Sequence, residues 1–498
     1  MPTAKKASST QRPARAKSTD REPELDSDVT DLERWAAAAV WSHRAELDAV
    51  ETALWRSERH PALSATSCIL IMLDSEPEWE RFRAATEWGT ALVRRLRQRI
   101  LEPALPTTNP IWVDDEHFTL DYHLRRQPVG GSGSLADTLT VAQQIAMTPF
   151  DRTRPLWEGV LLTGLADGGA AYLLKIHHTL ADGLGTVQLL SLLQSRTRTH
   201  TSDKPTAPTA PAGSPDDAVA LATSGLLHDL SSLPARAGVA VRHGLFAARH
   251  PRTVVAETLR YAASVRRLAS PPPTSGSPLL EDRDGRSWNF LALDVPLAEL
   301  RAAGRTVGGS LQDAFIAALL GGIRKYHNYH DLAVEDLPIS LRVSLDRADD
   351  PMSGNRFAGA MIAAPAGLVD PADRIAAVRG EVLSLHTERA LDAFRAFAPV
   401  ANVLPSDVTT FALQSGAAAD LSAAVIPGPA RESFMAGARV NGMYAFGPLP
   451  GVAISATLLT CGDTAYVGLN VDGLAVPDLD ELRLFLIEGF DEVLALAR

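Results

Sequence analysis

The alternation of apolar and polar positions divides the chain into strand-like and helix-like segments. Apolar runs of strand length occupy residues 64–74, 160–163, 171–176, 287–294, 452–460 and 465–472. Helical periodicity covers residues 32–59, 76–100 and the segment that follows Gly183. Together with the length of 498 residues, this mixture predicts an α/β (α+β) fold with two core-forming domains.

Four regions follow from this pattern. Residues 1–28 are poor in apolar residues and rich in Lys and Arg, which predicts a disordered basic tail. Residues 29–200 form the first predicted domain and residues 286–498 the second. Between them, residues 201–285 begin with a Pro/Ala/Thr linker and continue with a basic amphipathic stretch at 227–268. Such a stretch can lie on an anionic lipid surface, although most such helices cross between domains with a solvated face.

Charge and cysteine content restrict the classes of function. The net charge of -11 argues against nucleic acid as a partner, because nucleic-acid binding needs a basic surface. The two cysteines, Cys68 and Cys461, lie far apart, which excludes a disulfide framework and a thiolate metal site. No apolar run reaches the length of about 18 residues that a membrane span needs. We therefore expect a cytoplasmic protein whose membrane contact, if any, is peripheral.

Two adjacent histidines at a strand end are the main candidates for chemistry. The apolar run 171–176 stops at His177 and His178, and Asp182-Gly183 then opens a helix. A neutral imidazole has a pKa of about 6.5, so near pH 7 it can take a proton from a hydroxyl and return it to a leaving group. His178 is the better candidate for this base, and Asp182 is expected to hold the loop. The alternative interpretation is a buried polar pair whose hydrogen bonds are satisfied.

Other possible sites are weaker. His117, Asp121 and His123 do not provide the convergent ligands that a metal needs, so no metal site is predicted. Gly183-Leu-Gly185 begins like a dinucleotide-binding motif but has Gln188 where a third glycine is required. A cluster of four arginines at the C-terminal end of the predicted helix 76–100 is most simply a solvated helix face; it comprises Arg94, Arg95, Arg97 and Arg99.

Several short motifs occur in a characteristic order. They are Pro155-Leu156-Trp157-Glu158, His177-His178-Thr-Leu-Ala-Asp182-Gly183, Gln312-Asp313-Ala-Phe-Ile-Ala, Pro338-Ile-Ser340-Leu-Arg342, Gly354-Asn355 and Pro427-Gly428-Pro429. From about residue 45 to the C-terminus, the chain resembles the bacterial wax ester synthase/acyl-CoA:diacylglycerol acyltransferase family. The resemblance implies two chloramphenicol-acetyltransferase-like domains with mixed sheets and an active-site channel between them. It also implies acyl transfer from acyl-CoA, as a co-substrate, to diacylglycerol or a long-chain alcohol, with no metal and no other cofactor.

The resemblance also suggests residue roles. His178 is expected to remove the acceptor's hydroxyl proton and then to protonate the departing CoA thiolate, while His177, Asp182 and Gly183 shape the loop. We hypothesise that Arg342 pairs with Asp182. Supporting positions of the loop or channel are Pro155, Trp157, Gln312 and Asp313.

Two departures from the family pattern leave alternatives open. Gln312 stands where the family usually has Asn, and Ala424 and Val425 replace Ser and Asn before Pro427. One alternative is a condensation-type acyltransferase that takes acyl groups from carrier domains. The other is a weakly active or non-catalytic paralogue that binds lipid droplets or the membrane surface through residues 227–268.

Overall fold

The computed structural model describes residues 30–41, 44–58, 60–104, 109–200, 204–206, 276–344, 357–386 and 419–498. Of residues 49, 61, 342–344, 357–360, 385 and 386 it describes the backbone alone. The predicted basic tail, the amphipathic stretch 227–268, Gly354-Asn355 and most of the predicted linker lie outside these ranges. The expectations for them stay predictions.

Strands of the described residues fall in both halves of the chain. They are β1 (Thr66–Leu73), β2 (Gln98–Leu101), β3 (Ile111–Asp114), β4 (Leu124–Pro128), β5 (Trp157–Thr163), β6 (Ala170–His177), β7 (Trp288–Pro296), β8 (Asp336–Ser344), β9 (Phe357–Pro365), β10 (Leu421–Pro427), β11 (Phe434–Met435), β12 (Ala438–Phe446), β13 (Ile454–Cys461) and β14 (Thr464–Asp472). The predicted strands in 64–74, 171–176, 287–294, 452–460 and 465–472 are therefore confirmed.

Helices alternate with these strands. They are α1 (Asp31–Ala39), α2 (Ala49–Ser57), α3 (Trp79–Leu92), α4 (Leu120–His123), α5 (Leu135–Met147), α6 (Gly183–Leu193), α7 (Leu297–Thr306), α8 (Leu311–Tyr329), α9 (Pro371–His386) and α10 (Leu479–Leu494). Polar residues set several of their starts. Thr30, Asp48, Ser134 and Ser310 each accept from the backbone N–H three residues on, in a reciprocal capping box.

Among the described residues, two six-stranded mixed sheets form the main architecture, and β2 pairs with β3 in a separate two-stranded sheet. The first has the order β11-β12-β1-β6-β5-β4, in which only the β4–β5 pair is parallel. The second has the order β7-β14-β13-β10-β8-β9, with β10 parallel to both β13 and β8. The strands β11 and β12 come from the second half of the chain but complete the first sheet. A division at residue 286 therefore does not separate the two sheets.

Each face of the first sheet packs on a different layer, as the two-residue period of a strand requires. Ile69 and Ile71 belong to one apolar cluster with residues of α3 and α6. Cys68 and Leu70 belong to another, which includes residues of α5, β7 and β12. Phe290 of β7 stacks on Phe446 of β12 with ring centres 4.0 Å apart. The second cluster thus joins the two sheets.

Two helix predictions were too long. The segment 32–59 contains two helices, α1 and α2, because Asp48 caps a new helix start. The segment 76–100 ends as a helix at Leu92 and continues as a 3-10 turn and strand β2.

The expectation that the arginines of this segment form a solvated helix face is wrong. Arg95 is buried with its guanidinium 4.3 Å from the ring centre of Trp112, and Arg94 pairs with Asp114.

No single helix in the described part of the chain is long and apolar enough to cross a bilayer. The pair α7 and α8 passes on combined length and composition, but its helices meet at 95°. Most of α8 is buried in the core of the second half.

Candidate active site

The histidine pair lies at the end of β6, held by backbone hydrogen bonds on both sides. The amide of His177 donates to the carbonyl of Leu156 (3.1 Å), in the Pro155-Leu156-Trp157 motif that leads into β5. The amide of His178 donates to the carbonyl of Ala65 (2.9 Å), just before β1. Both imidazoles are almost completely buried. The backbone around the pair is therefore fixed by its two neighbouring strands.

The His177 ring is occupied on both nitrogens. Nε2 lies 2.7 Å from Oε2 of Glu58, and Nδ1 lies 2.7 Å from Oγ1 of Thr179. Burial by itself raises the pKa of the Glu58 carboxyl, but the charge and hydrogen bond of His177, the hydrogen bond from the Ala65 amide and the charge of Arg152 together lower the net pKa. Trp55 and Phe150 meet the imidazole edge-on, with ring centres 6.1 Å away. This environment suits a positioning role for His177.

The His178 ring faces a hydroxyl from the neighbouring strand. Oγ of Ser67 lies 3.3 Å from Nδ1 and 3.5 Å from Nε2, and the carbonyl of Ala181 lies 3.4 Å from Nδ1. Sequence reasoning missed Ser67. Ser67 lies in β1 opposite Ile176, and Ile176 precedes His178 by two residues. Only the pairing of β1 with β6 reveals that Ser67 is close to His178.

Asp182 is the N-cap of α6. Its Oδ1 accepts from the backbone N–H of Gly185 (2.7 Å), and its carbonyl accepts from the amide and hydroxyl of Thr186. This confirms its expected place at the positive helix terminus. A Cβ on Gly183 would lie 2.6 Å from Cδ1 of Ile426 in β10. Glycine thus allows α6 to begin directly against the second sheet.

Trp157 packs beneath the loop and is held by polar contacts. Its indole N–H donates to the carbonyl of Leu96 (2.8 Å), and its ring stacks on His123 at 4.8 Å. Its carbonyl lies 2.7 Å from Nδ1 of His123. Pro155, two residues before Trp157, is also buried.

Two of the residues excluded as metal ligands, His123 and Asp121, make separate contacts in the structure. His123 stacks between Phe118 and Trp157, and burial lowers its pKa. Asp121 pairs with Arg83 at the surface. Among the residues that the structure describes, no group of three or more His, Cys, Asp or Glu side chains could hold a metal ion.

A buried charge pair beside the loop was also missed. Lys175 is completely buried, and its Nζ lies 3.0 Å from Oε1 of Glu158 and 2.5 Å from the carbonyl of Thr148. Arg125 pairs with the other oxygen of Glu158. In the sequence, Lys175 is a single polar residue within an apolar run. The register of β5 and β6, which places Lys175 opposite Glu158, explains why its charge can be buried.

Comparison with known proteins decides the family. The wax ester synthase/diacylglycerol acyltransferase catalytic domain matches residues 16–315, and the WS/DGAT C-terminal domain matches residues 353–493. The chain belongs to the wax ester synthase/diacylglycerol acyltransferase family. It is therefore an acyltransferase, as the order of its motifs predicted.

Two sequence relatives agree with this family assignment. A Mycobacterium tuberculosis protein named as a diacylglycerol O-acyltransferase is 34% identical over 470 residues, 91% of this chain and 92% of its own length. A second such M. tuberculosis protein is 27% identical over 467 residues, covering 87% of this chain and 86% of its own length.

Two solved structures share the predicted fold. The wax ester synthase/diacylglycerol acyltransferase of Marinobacter aquaeolei VT8 matches with a TM-score of 0.62 at 19% identity, over 91% of this chain and 99% of that chain. The first condensation domain of the calcium-dependent antibiotic synthetase matches with 0.56 at 14% identity, over 92% and 97%. At these identities they show the fold alone, and the two-domain mixed-sheet prediction is confirmed.

Not every motif of this acyltransferase comes together at the histidines. The Asp313 carboxylate accepts from the backbone N–H of Ser310, the N-cap of α8, and lies 3.5 Å from Arg379, so its described contacts fall within the second half. Gln312 is half-buried on the first turn of the same helix. Arg342 lies in β8, but its side chain is outside the described part, so its pairing with Asp182 stays a prediction.

The two replaced positions in β10 have different surroundings. Val425 packs against the core of the second half, where an apolar side chain is favourable. Ala424 is half-buried and shares a strand face with Ile426, the residue that contacts Gly183. Ala424 is therefore the replaced position on the strand face that meets the start of α6.

Proposed function

We propose that this acyltransferase moves a long-chain fatty acyl group from acyl-CoA to diacylglycerol or a long-chain alcohol, with His178 as the general base. The observation that carries the proposal is the position of the His178 ring at the end of β6, where Oγ of Ser67 lies 3.3 Å and the carbonyl of Ala181 3.4 Å from Nδ1. Carboxylate and hydroxyl groups engage both nitrogens of His177 at 2.7 Å, which suits a positioning role for that ring.

The contacts of His178 favour one tautomer. A carbonyl oxygen only accepts, so the carbonyl of Ala181 favours a proton on Nδ1. Nε2 then keeps the lone pair that a base needs. The hydroxyl proton of the acceptor passes to Nε2 as its oxygen bonds to the thioester carbon. When the carbon–sulfur bond breaks, the CoA thiolate takes this proton. General-base catalysis of this kind contributes about 10²- to 10⁴-fold.

The neighbouring residues act by positioning. Glu58 holds His177, whose amide is bound to the Pro155-Leu156-Trp157 motif, and Asp182 fixes the start of α6 four residues after His178. We propose that Arg342 supplies a further cation to Asp182. Exchange of the two charges in an Asp182→Arg/Arg342→Asp double variant should recover activity relative to either single variant. A double variant no better than the single variants would reject the pair.

The test of the main proposal measures CoA release from palmitoyl-CoA with dioleoylglycerol or hexadecanol as acceptor. Wild type should show acceptor-dependent release, and the better acceptor identifies the product. His178→Ala should lower the rate at least about 10²-fold. His117→Ala, which removes an exposed histidine, is the matched control. Full activity of His178→Ala would contradict the mechanism. No turnover by wild type with either acceptor would favour carrier-bound donors or a binding-only role.

We further propose that the protein contacts lipid inclusions or the inner membrane surface through residues 227–268. This stretch contains seven arginines but only two acidic residues, Asp229 and Glu257, so its net charge is positive. A positive net charge favours contact with anionic lipid. Wild type should co-sediment with vesicles that contain anionic lipid, and a variant with Arg242, Arg249 and Arg252 changed to Gln should do so less. Equal sedimentation of the two proteins would reject this surface.

A further inference from the structure

A large cavity lies on the first sheet, on the face opposite the junction with the second sheet. It has a volume of about 500 Å³, within the usual range of small-molecule sites. Its walls come from the sheet, from α3 and α6, and from the segment around β11. Most of the buried inner wall is apolar or aromatic and includes Phe82, Leu96, Trp157, Leu174 and Ile176. The buried polar residues Thr90 and Gln194 also line the cavity.

The outer end of the cavity has a different chemical character. Arg81, His200 and Lys204 line it there, and each is at least partly exposed. Nζ of Lys204 lies 4.6 Å from the ring centre of Trp88. No Asp or Glu is among the described residues that line the cavity. The cavity is thus cationic at its outer end and mostly apolar within.

The positive charges of Arg81 and Lys204 repel each other. Partial burial lowers the pKa of Lys204, and the positive charge of Arg81 lowers it further. An anion placed between them would relieve this repulsion and gain charge-assisted hydrogen bonds. An apolar chain is the group that gains most from the inner wall, because a polar group there would lose its hydration.

We propose that this cavity binds a long-chain free fatty acid, with its carboxylate between Arg81 and Lys204 and its chain against Trp157 and Ile176. The site is separate from the contacts of His178 and does not depend on the proposed reaction. It nevertheless adjoins the catalytic loop, since Ile176 stands opposite Ser67 in the sheet and Ser67 contacts the His178 ring.

The experiment measures equilibrium binding of radiolabelled palmitate to the full-length protein. Ala85→Trp places a large ring in the cavity from α3 and should weaken binding at least about tenfold. Ala136→Trp puts the same ring on the exposed face of α5 and should leave binding unchanged. His178→Ala should bind palmitate as wild type does. Ala84→Trp, at the exposed rim of the same cavity, repeats the test where the core need not repack.

The head group is tested separately. Lys204→Gln should weaken palmitate binding about tenfold but leave binding of uncharged hexadecanol unchanged. Palmitate binding that is unaffected in Ala84→Trp, Ala85→Trp and Lys204→Gln would overturn the proposal. So would hexadecanol binding as tight as that of palmitate, because the cations would then contribute nothing. Displacement of palmitate by palmitoyl-CoA at lower concentrations than by unlabelled palmitate would assign the cavity to the acyl donor instead of the free acid.

Discussion

Nε2 of His177 and Oε2 of Glu58 lie 2.7 Å apart in the buried interior, although 119 residues separate them in the chain. The carboxylate thus holds the first histidine of the motif, not the second. Glu58 also accepts from the amide of Ala65, whose carbonyl binds the amide of His178. One side chain in this way joins the end of α2 to both histidines.

We expect Glu58→Gln to destabilise the fold by about 1–3 kcal/mol, because the amide replaces a charged acceptor in a buried hydrogen bond. The folded pKa of Glu58 lies below its ordinary value, so its stabilisation is present above the pKa of the unfolded carboxyl, near 4.3. It is lost as the pH falls through the folded pKa. Denaturant unfolding at pH 7 and pH 3 measures this difference, with the exposed Glu116→Gln as control. Equal unfolding of Glu58→Gln and wild type at pH 7 would contradict the role.

Ser67 is expected to orient the catalytic ring without taking part in the chemistry. Removing its hydroxyl in Ser67→Ala should lower kcat about tenfold and shift the pH profile of kcat, since the His178 nitrogens lose a hydrogen-bonding neighbour. Ser67→Thr keeps a hydroxyl and should recover most of the rate. Unchanged kcat and pH profile in Ser67→Ala would show that the contact has no influence on the base.

Gly428 is required by a close backbone approach within the Pro427-Gly428-Pro429 motif. A Cβ at this position would lie 2.0 Å from the carbonyl oxygen of Thr460. We expect Gly428→Ala to destabilise the protein by about 1–3 kcal/mol through overpacking. Gly380 in α9 has no atom within 4 Å of its Cβ position. Gly380→Ala should therefore be neutral or stabilise by about 0.5–1 kcal/mol. Thermal unfolding of the two variants tests the contrast, and equal shifts would argue against it.

Two buried histidines should make the fold sensitive to mild acid. Burial lowers the pKa of His123 and that of His327, so the folded state favours their neutral forms. In the unfolded chain both take up protons near pH 6.5. The unfolded state therefore binds more protons, and stability should fall as the pH drops below about 6.5. His123→Phe keeps a ring between Phe118 and Trp157 and should flatten this dependence, whereas exposed His117→Gln should not. The Tm from pH 7.5 to pH 5 provides the measurement.

The sequence by itself determined the parts of the site that depend on neighbours in the chain. An apolar run that ends at His177, followed by Asp182 and helical spacing, predicts strand β6, the loop and helix α6, because strand period and capping are local properties. The order of motifs was sufficient to predict the family and its two mixed sheets.

Only the tertiary structure decided which distant residues complete the site. Glu58, Ser67 and Ile426 reach the histidine loop through strand pairing and sheet packing. The addition of β12 to the first sheet is of the same kind. The burial of Arg95, where a solvated face was expected, arises from packing against Trp112. Such contacts depend on how separate segments meet in space, and neither spacing nor composition within one segment records that meeting.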